Sequence, residues 1–142
     1  MIKKITVSGP VIIENKKLLV IKDDEDDFYK IPGGTRKGRE SLEDTCRREF
    51  NEETGLRCRI LYRLANMKLD KNPQTGEEAD IKLYHYQCEL IHDSLDFSYK
   101  SFRHREHEVR WIRLTDLVRG KYPIAPNIKY LIKIGEIARG VK

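Results

Sequence analysis

Residues 47–55 read RREFNEETG. Leu42, Cys46 and Phe50 recur every four residues across and just before this stretch, so one apolar stripe runs along a helix. Ser41 followed by Asp44 resembles a capping box with Asp in place of Glu. Gly55 falls where a helix ends on a left-handed residue. The pattern predicts a helix over roughly 42–54. On it, Glu49, Glu52 and Glu53 stand at i, i+3 and i+4, on a face away from the apolar stripe. One side of the helix therefore packs on a sheet, and another carries three like charges. Each such pair costs a few tenths of a kcal/mol in water, and more when partly buried. Arg48, four residues before Glu52, can blunt that repulsion. A divalent cation would reverse its sign: Mg²⁺ takes oxygen ligands and accepts a few carboxylates together with water and substrate phosphate. A merely solvated acidic face is the alternative, and these residues alone leave it open.

Around this helix the period is that of strands. Residues 2–8, 11–13 and 17–22 are rich in Val, Ile and Leu and read as strands, the first two parted by Ser8, Gly9 and Pro10. Residues 23–27, DDEDD, read as a solvated loop. Residues 28–31 read as a strand stopped by Pro32-Gly33-Gly34. Two long strands are expected at 57–68 and 81–91, joined by a polar loop with Asn72-Pro73 and Thr75-Gly76. A loop over 92–107 leads to a strand at 109–114. Thr115 is placed to cap a short helix, and 127–139 reads as a packing helix with Ile128, Leu131, Ile132 and Ile137 on one face. Strands, helix, strands and helix in this order predict one domain over 1–142, with a mixed sheet carrying helices on its faces, in the α/β or α+β range.

Composition narrows the class. Apolar residues are 39% and charged residues 36% of 142, too apolar for disorder and too charged for a membrane protein; no apolar run nears the ~20 residues of a span. The basic, soon interrupted start does not read as a signal peptide. Cys46, Cys58 and Cys88 are odd in number and form no CxxC pair, which points to reduced, buried thiols in a cytoplasmic protein. A net charge of +5 favours phosphate-bearing partners without choosing among them.

Residues 34–56, GTRKGRESLEDTCRREFNEETGL, resemble the Nudix box, G-x5-E-x7-R-E-U-x-E-E-x-G-U, where U is a bulky apolar residue. Gly34, Glu40, Arg48, Glu49, Phe50, Glu52, Glu53, Gly55 and Leu56 all fall in register. The resemblance implies an α/β/α sandwich on a mixed central sheet. It implies hydrolysis of a nucleoside diphosphate linked to another group, with Mg²⁺, or Mn²⁺ in its place, and water attacking phosphorus. By position Glu49, Glu52 and Glu53 would bind metal, joined by a backbone carbonyl at Gly33 or Gly34, and Arg48 would hold one glutamate by an ion pair. Glu40 would fix the loop. The chemistry is coherent: a diphosphate repels hydroxide, cations neutralise its oxygens, and a carboxylate takes up the proton. Many relatives draw a further Glu from the loop before a Trp-containing strand. In HREHEVRWIRL that residue is read as Glu106, a general base or extra ligand, with His104 and His107 flanking it as exposed loop residues.

Two departures from the family pattern stand at Lys37 and Arg39, where an acid and a glycine are usual; the glycine has moved to Gly38. Together with Arg36 these cations either meet substrate phosphates or are plain surface charges. Gly33 stands where diadenosine-polyphosphate and messenger-cap hydrolases often carry Lys, which favours nucleoside triphosphates, nucleotide sugars or ADP-ribose. Pro73, 17 residues past the box, recurs near that place in ADP-ribose hydrolases but also suits any turn. Phe97, Tyr99 and Phe102 are candidates for stacking on a base. The expected partner is a small nucleotide rather than nucleic acid or membrane. A nucleotide-sensing module and an RNA 5′-end hydrolase are the competing readings, and the resemblance leaves monomer and homodimer open.

Overall fold

In β1 (Lys3–Glu14) and β2 (Lys17–Asp23) successive apolar residues face opposite ways, and both faces are covered. Val11, Leu18 and Val20 belong to one buried cluster, whereas Ile12, Leu19 and Ile21 belong to another. A strand buried on both sides reads as a continuous apolar run, which is why these segments lack polar alternation. Asn15 and Lys16 both have positive φ, 50° and 60°, the geometry of a tight hairpin turn.

The computed structural model describes residues 2–92 and 101–142. The remaining elements are β3 (Gly34–Thr35), α1 (Leu42–Thr54), β4 (Cys58–Arg63), β5 (Met67–Lys71), β6 (Glu78–Leu90), β7 (Phe102–His104), β8 (His107–Arg113), α2 (Leu114–Val118) and α3 (Pro126–Lys133). The strands form one mixed sheet in the order β4-β6-β1-β2-β8-β7, with β3 on β1 and β5 on β6. β1 and β6 run parallel; the other pairs are antiparallel. Cys46 and Phe50 of α1 pack into the cluster on one face of the sheet, and Ile128 and Leu131 of α3 into the cluster on the other. This is the layered, mixed-sheet α/β architecture expected above. No helix among the described residues is long and apolar enough to cross a membrane.

Several boundaries differ from the sequence reading. Pro10 does not break β1: it pairs with Tyr86 of β6 at a point where β1 has passed β3 and not yet reached β2, so no ladder bond is lost. Residues 28–31 contribute isolated bridges, Ile21 with Lys30 and Tyr29 with Ile124, rather than a strand. The segment 57–68 divides into β4 and the start of β5. The end of the 92–107 loop forms β7 and the first residue of β8. Thr115 lies inside α2, whose N-cap position is Arg113. α3 stops at Lys133, before Gly135 with φ 80°, yet Ile137 is still 1% exposed in the core. Phe97 and Tyr99 lie outside the described residues; Phe102 packs against the cluster under α1.

α1 itself matches its expected span. Ser41 Oγ accepts from the Asp44 N–H at 3.0 Å, and the N–H of Gly55, at φ 74°, donates to Asn51 O at 2.8 Å. The Asp44 side chain turns to Arg47 instead of completing the box. Phe50 is fully buried between helix and sheet. Phe50→Ala is expected to remove about 3–5 kcal/mol of stability, read as a lower urea midpoint at an unchanged denaturant slope.

Candidate active site

The guanidinium of Arg48 ties the acidic face of α1 to the loop before it. Its Nε and Nη2 donate to the two Glu40 oxygens at 2.7 and 2.9 Å, a bidentate pair. Nη2 also reaches Thr35 O at 3.0 Å. Nη1 donates to Glu49 at 2.7 Å and, more loosely, to both Glu52 oxygens at 3.3 Å. Thr45 Oγ1 adds a bond to Glu40 at 2.8 Å. The Arg48 contact holds the Glu40 carboxyl down to about 2, and Glu40 in turn raises Arg48. Glu40 and Arg48 therefore stay charged across the working pH range and act as a permanent clasp between loop and helix.

Glu49 and Glu53 are each fitted to a glycine. The Glu49 carboxylate lies against Gly34, where an added Cβ would come within 2.4 Å of it. Gly33 donates its N–H to Glu53 Oε1 at 2.7 Å. Glu53 is 8% exposed, and burial pushes its carboxyl up to about 8, with the negative charges of Glu49 and Asp23 adding to the rise and Lys30 opposing it. Glu52 is the open member, its side chain 42% exposed. The three are not all turned away from the apolar stripe, as the spacing predicted: Glu53, seven residues after Cys46, is buried along the stripe, and among the described residues no three carboxylates bring their oxygens within 4.8 Å of one another.

The other wall of the site comes from residues read differently in the sequence. Glu106 is exposed in the turn between β7 and β8 and makes no hydrogen bond or ion pair among the described residues. His107 takes the inward place. It is 8% exposed, with Nε2 at 2.9 Å from Asp23 Oδ1 and 3.8 Å from Glu53 Oε2. The reason is strand alternation: His107 shares the α1-side face of β8 with Val109 and Trp111, whereas Glu108 faces the other way and accepts from Tyr29 Oη at 3.0 Å. The period of two was the signal that would have found His107. His107 Nδ1 and Asp23 Oδ1 are buried without an aligned hydrogen bond among the described residues. His104 is half-buried against Gly55.

The 23–27 run is likewise not all solvated. Asp26 is 6% exposed, accepts from the Asp23 N–H at 2.8 Å and from the Gln74 amide, and pairs with Lys30 at 3.2 Å. Lys30 also meets Asp23 at 3.3 Å. Arg36, Lys37 and Arg39 are exposed on the loop between β3 and α1.

Next to Gly33 and Gly34 opens a cavity of about 270 Å³, walled by β1, β6, residues 28–35, residues 72–74 and the start of α3. Its walls are mostly apolar: Ile5, Val7, Ile31, Leu69, Ile81 and Leu83, with His85 and Asn127 supplying polar groups. His85 is buried, its Nδ1 at 2.8 Å from Ala65 O and Nε2 at 3.1 Å from the Asn127 amide, and burial lowers its pKa. Pro73 lines the same cavity. An apolar chamber therefore opens beside a strongly acidic rim.

The family model for the NUDIX domain matches residues 3–133. Nucleoside diphosphate-linked moiety X motif 6 of Mus musculus is 28% identical over 137 residues, and that of Homo sapiens 26%. The match takes in 93% of this chain but 42% of either relative, so the chain spans less than half the length of those proteins. Among solved structures, the MutT protein from Methanosarcina mazei Go1 has a TM-score of 0.71 at 18% identity, covering 95% of this chain and 94% of that one. The E. coli ORF135 protein has 0.66 at 23%, covering 99% and 96%. With the domain model spanning nearly the whole chain and the box side chains gathered on one helix and its loop, this protein belongs to the Nudix family.

Proposed function

We propose that this chain is a divalent-metal-dependent hydrolase that cleaves the diphosphate linkage of a small nucleotide carrying a further group, such as a nucleoside triphosphate, a nucleotide sugar or ADP-ribose. The observation that carries this reading is the pairing of an acidic helix face with an apolar cavity at one loop, Gly33-Gly34. The cavity suits a base or sugar, and the rim suits the charged middle of the molecule. Nudix hydrolases generally use divalent ions, and the donor set here fits one. Glu49, Glu52, Glu53, Glu40, Asp23 and Asp26 surround the site, against two basic side chains, Arg48 and Lys30. Oxygen donors in such excess suit Mg²⁺, with Mn²⁺ as a substitute. Glu49, Glu52, Glu53 and a carbonyl at Gly34 would hold it, and bound there it would neutralise diphosphate oxygens and make water more acidic.

The chain's own groups do the rest. Arg48 fixes the helix against the loop, and its looser 3.3 Å contacts leave Glu52 free to turn toward substrate. Glu52 is the carboxylate open enough to take a proton from attacking water. Gly33 N–H and His107 hold Glu53 from two sides. Arg36, Lys37 and Arg39 draw the anionic substrate toward the loop.

A panel of nucleoside triphosphates, nucleotide sugars, ADP-ribose and dinucleoside polyphosphates, assayed with Mg²⁺ or Mn²⁺, tests the proposal. Product is expected with metal and not with EDTA, which also separates a hydrolase from a nucleotide sensor. Glu52→Gln and Glu53→Gln are each expected to lose about 10²-fold or more in kcat with the fold intact. Glu106→Gln should stay within a few-fold of the parent. Near-full activity in both box variants would overturn the site.

Glu53 also sets a pH dependence. In the metal-free fold its carboxyl sits near 8 against 4.5 for the ordinary group. Between those values the folded chain binds the extra proton, so the stability this group contributes is full below about 4.5 and is lost as pH climbs through about 8. In EDTA the melting temperature is expected to fall across that window, and Glu53→Gln should flatten the fall. Added Mg²⁺ should raise the melting temperature more at the alkaline end, since ligation needs the carboxylate form.

A further inference from the structure

Where α1 packs on the sheet lie three sulfur atoms that the proposed reaction does not use. Cys46 comes from α1, Cys58 from the first position of β4 and Cys88 from β6. They are 0%, 4% and 2% exposed, and their Sγ atoms all lie within 4.8 Å of one another. In the β4–β6 pairing Cys58 opposes Leu90 and Cys88 opposes Ile60, so these two sit diagonally on adjacent strands, and Cys46 comes down on them from the helix. We propose that Cys46, Cys58 and Cys88 form a trigonal thiolate site for a soft cation of the copper(I) class.

Geometry is the first support. A metal–sulfur distance of about 2.3 Å places three sulfurs at the corners of a triangle about 4.0 Å on a side. With all three sulfurs within 4.8 Å of one another, no side of the present triangle is more than about 1 Å too long for such a site. Donor chemistry is the second. The surroundings are Leu42, Phe50, Leu56, Ile60, Tyr86 and Leu90, an apolar shell that gives a hard ion no oxygen cage. No histidine, carboxylate or fourth cysteine among the described residues joins the three within the same span. Structural Zn²⁺ sites take four ligands, so three thiolates alone select an ion content with fewer.

Proton balance agrees. In the metal-free fold the Cys88 Sγ–H donates to Tyr86 O at 3.5 Å, a contact it gives up on ligation. Each sulfur that ligates releases its proton to solvent, so loading strengthens as pH rises. Access is available at the sheet edge: β4 is the outermost strand of the main ladder, and Cys58 opens it directly after exposed Arg57. Fraying of that strand end uncovers the cluster.

The test is an anaerobic titration of the reduced full chain with Cu⁺ buffered by the chromogenic chelator bicinchoninate. One equivalent per chain is expected to leave the chelator, with new thiolate-to-copper absorption in the ultraviolet and no displacement by excess Mg²⁺. Cys58→Ala and Cys88→Ala, with circular dichroism as in the parent, should each lose that withdrawal. If either variant fails to fold, the parent decides alone: Cu⁺ should raise its melting temperature and, at the urea concentration at which the copper-free chain is labelled, protect all three cysteines from iodoacetamide, as read by mass spectrometry. The proposal is overturned if the chelator keeps the copper, if the folded variants bind as well as the parent, if Mg²⁺ displaces the ion, if Zn²⁺ outcompetes Cu⁺, or if fewer than three cysteines are protected.

Discussion

One guanidinium holds the functional half of this molecule together. Arg48 reaches Glu40, Glu49, Glu52 and the carbonyl of Thr35 at once, all between 2.7 and 3.3 Å. Arg is suited to this because its planar fork offers five donors in fixed directions, where Lys offers a point charge. The bond to Glu40 closes the loop over 35–40 onto the first turns of α1. The bonds to Glu49 and Glu52 reduce the repulsion that three carboxylates on one helix face would otherwise carry. Loop position and helix charge are thus settled by the same side chain, with Thr45 steadying Glu40 from the helix interior.

That clasp leaves one carboxylate unserved. Glu53 lies on the deep side of the helix, beyond the reach of Arg48, and relies on Gly33 N–H and on the neighbourhood of His107. Burial disfavours its charge, and the nearest negative groups disfavour it further. A fold selected for stability alone would place an apolar residue there. The residue retained is one whose charged form gains from an added positive ion, and His107 Nδ1 beside it is buried without an aligned hydrogen bond among the described residues.

How much of this was legible depended on period and on local identity. The α1 span, its cap at Ser41, its end at Gly55 and the adjacency of Glu49, Glu52 and Glu53 followed from helical spacing; the burial of Glu53 beside the apolar stripe did not. The mixed sheet followed from alternating strand and helix patterns. His107 was readable from its alternation with Val109 and Trp111, whereas the residue picked from this segment, Glu106, lies exposed in the turn before the strand. Asp23 and Asp26 were not readable: five consecutive polar residues have no period, and their burial is decided by Lys30 and Gln74, one of them in a distant loop. Pro10 in β1 was hidden for a related reason. A proline is harmless where a strand has no neighbour on one side, and neighbours are a property of the assembled sheet.

The sheet itself separates chemistry from selection. β1 pairs with β2 at Ile13 and Glu14, beside the turn, and further along it pairs with β3 instead. Into that divergence come Pro32 and Gly33, whose backbone lies so close to Gly9 that a Cβ on Gly9 would meet Pro32 O at 2.0 Å, and one on Gly33 would meet Ser8 O at 2.7 Å. Two bare backbones in contact bring the Gly33-Gly34 loop down onto β1, and the cavity opens along the same line. Its walls are drawn from β1, β5, β6, residues 28–35, residues 72–74 and the start of α3, none of which carries a box carboxylate. A change at Leu69, Ile81 or Leu83 reshapes the chamber while Arg48 and its glutamates stay in place. On the function proposed above, helix α1 and its loop would keep one kind of chemistry while the chamber beside them is refitted to another substrate.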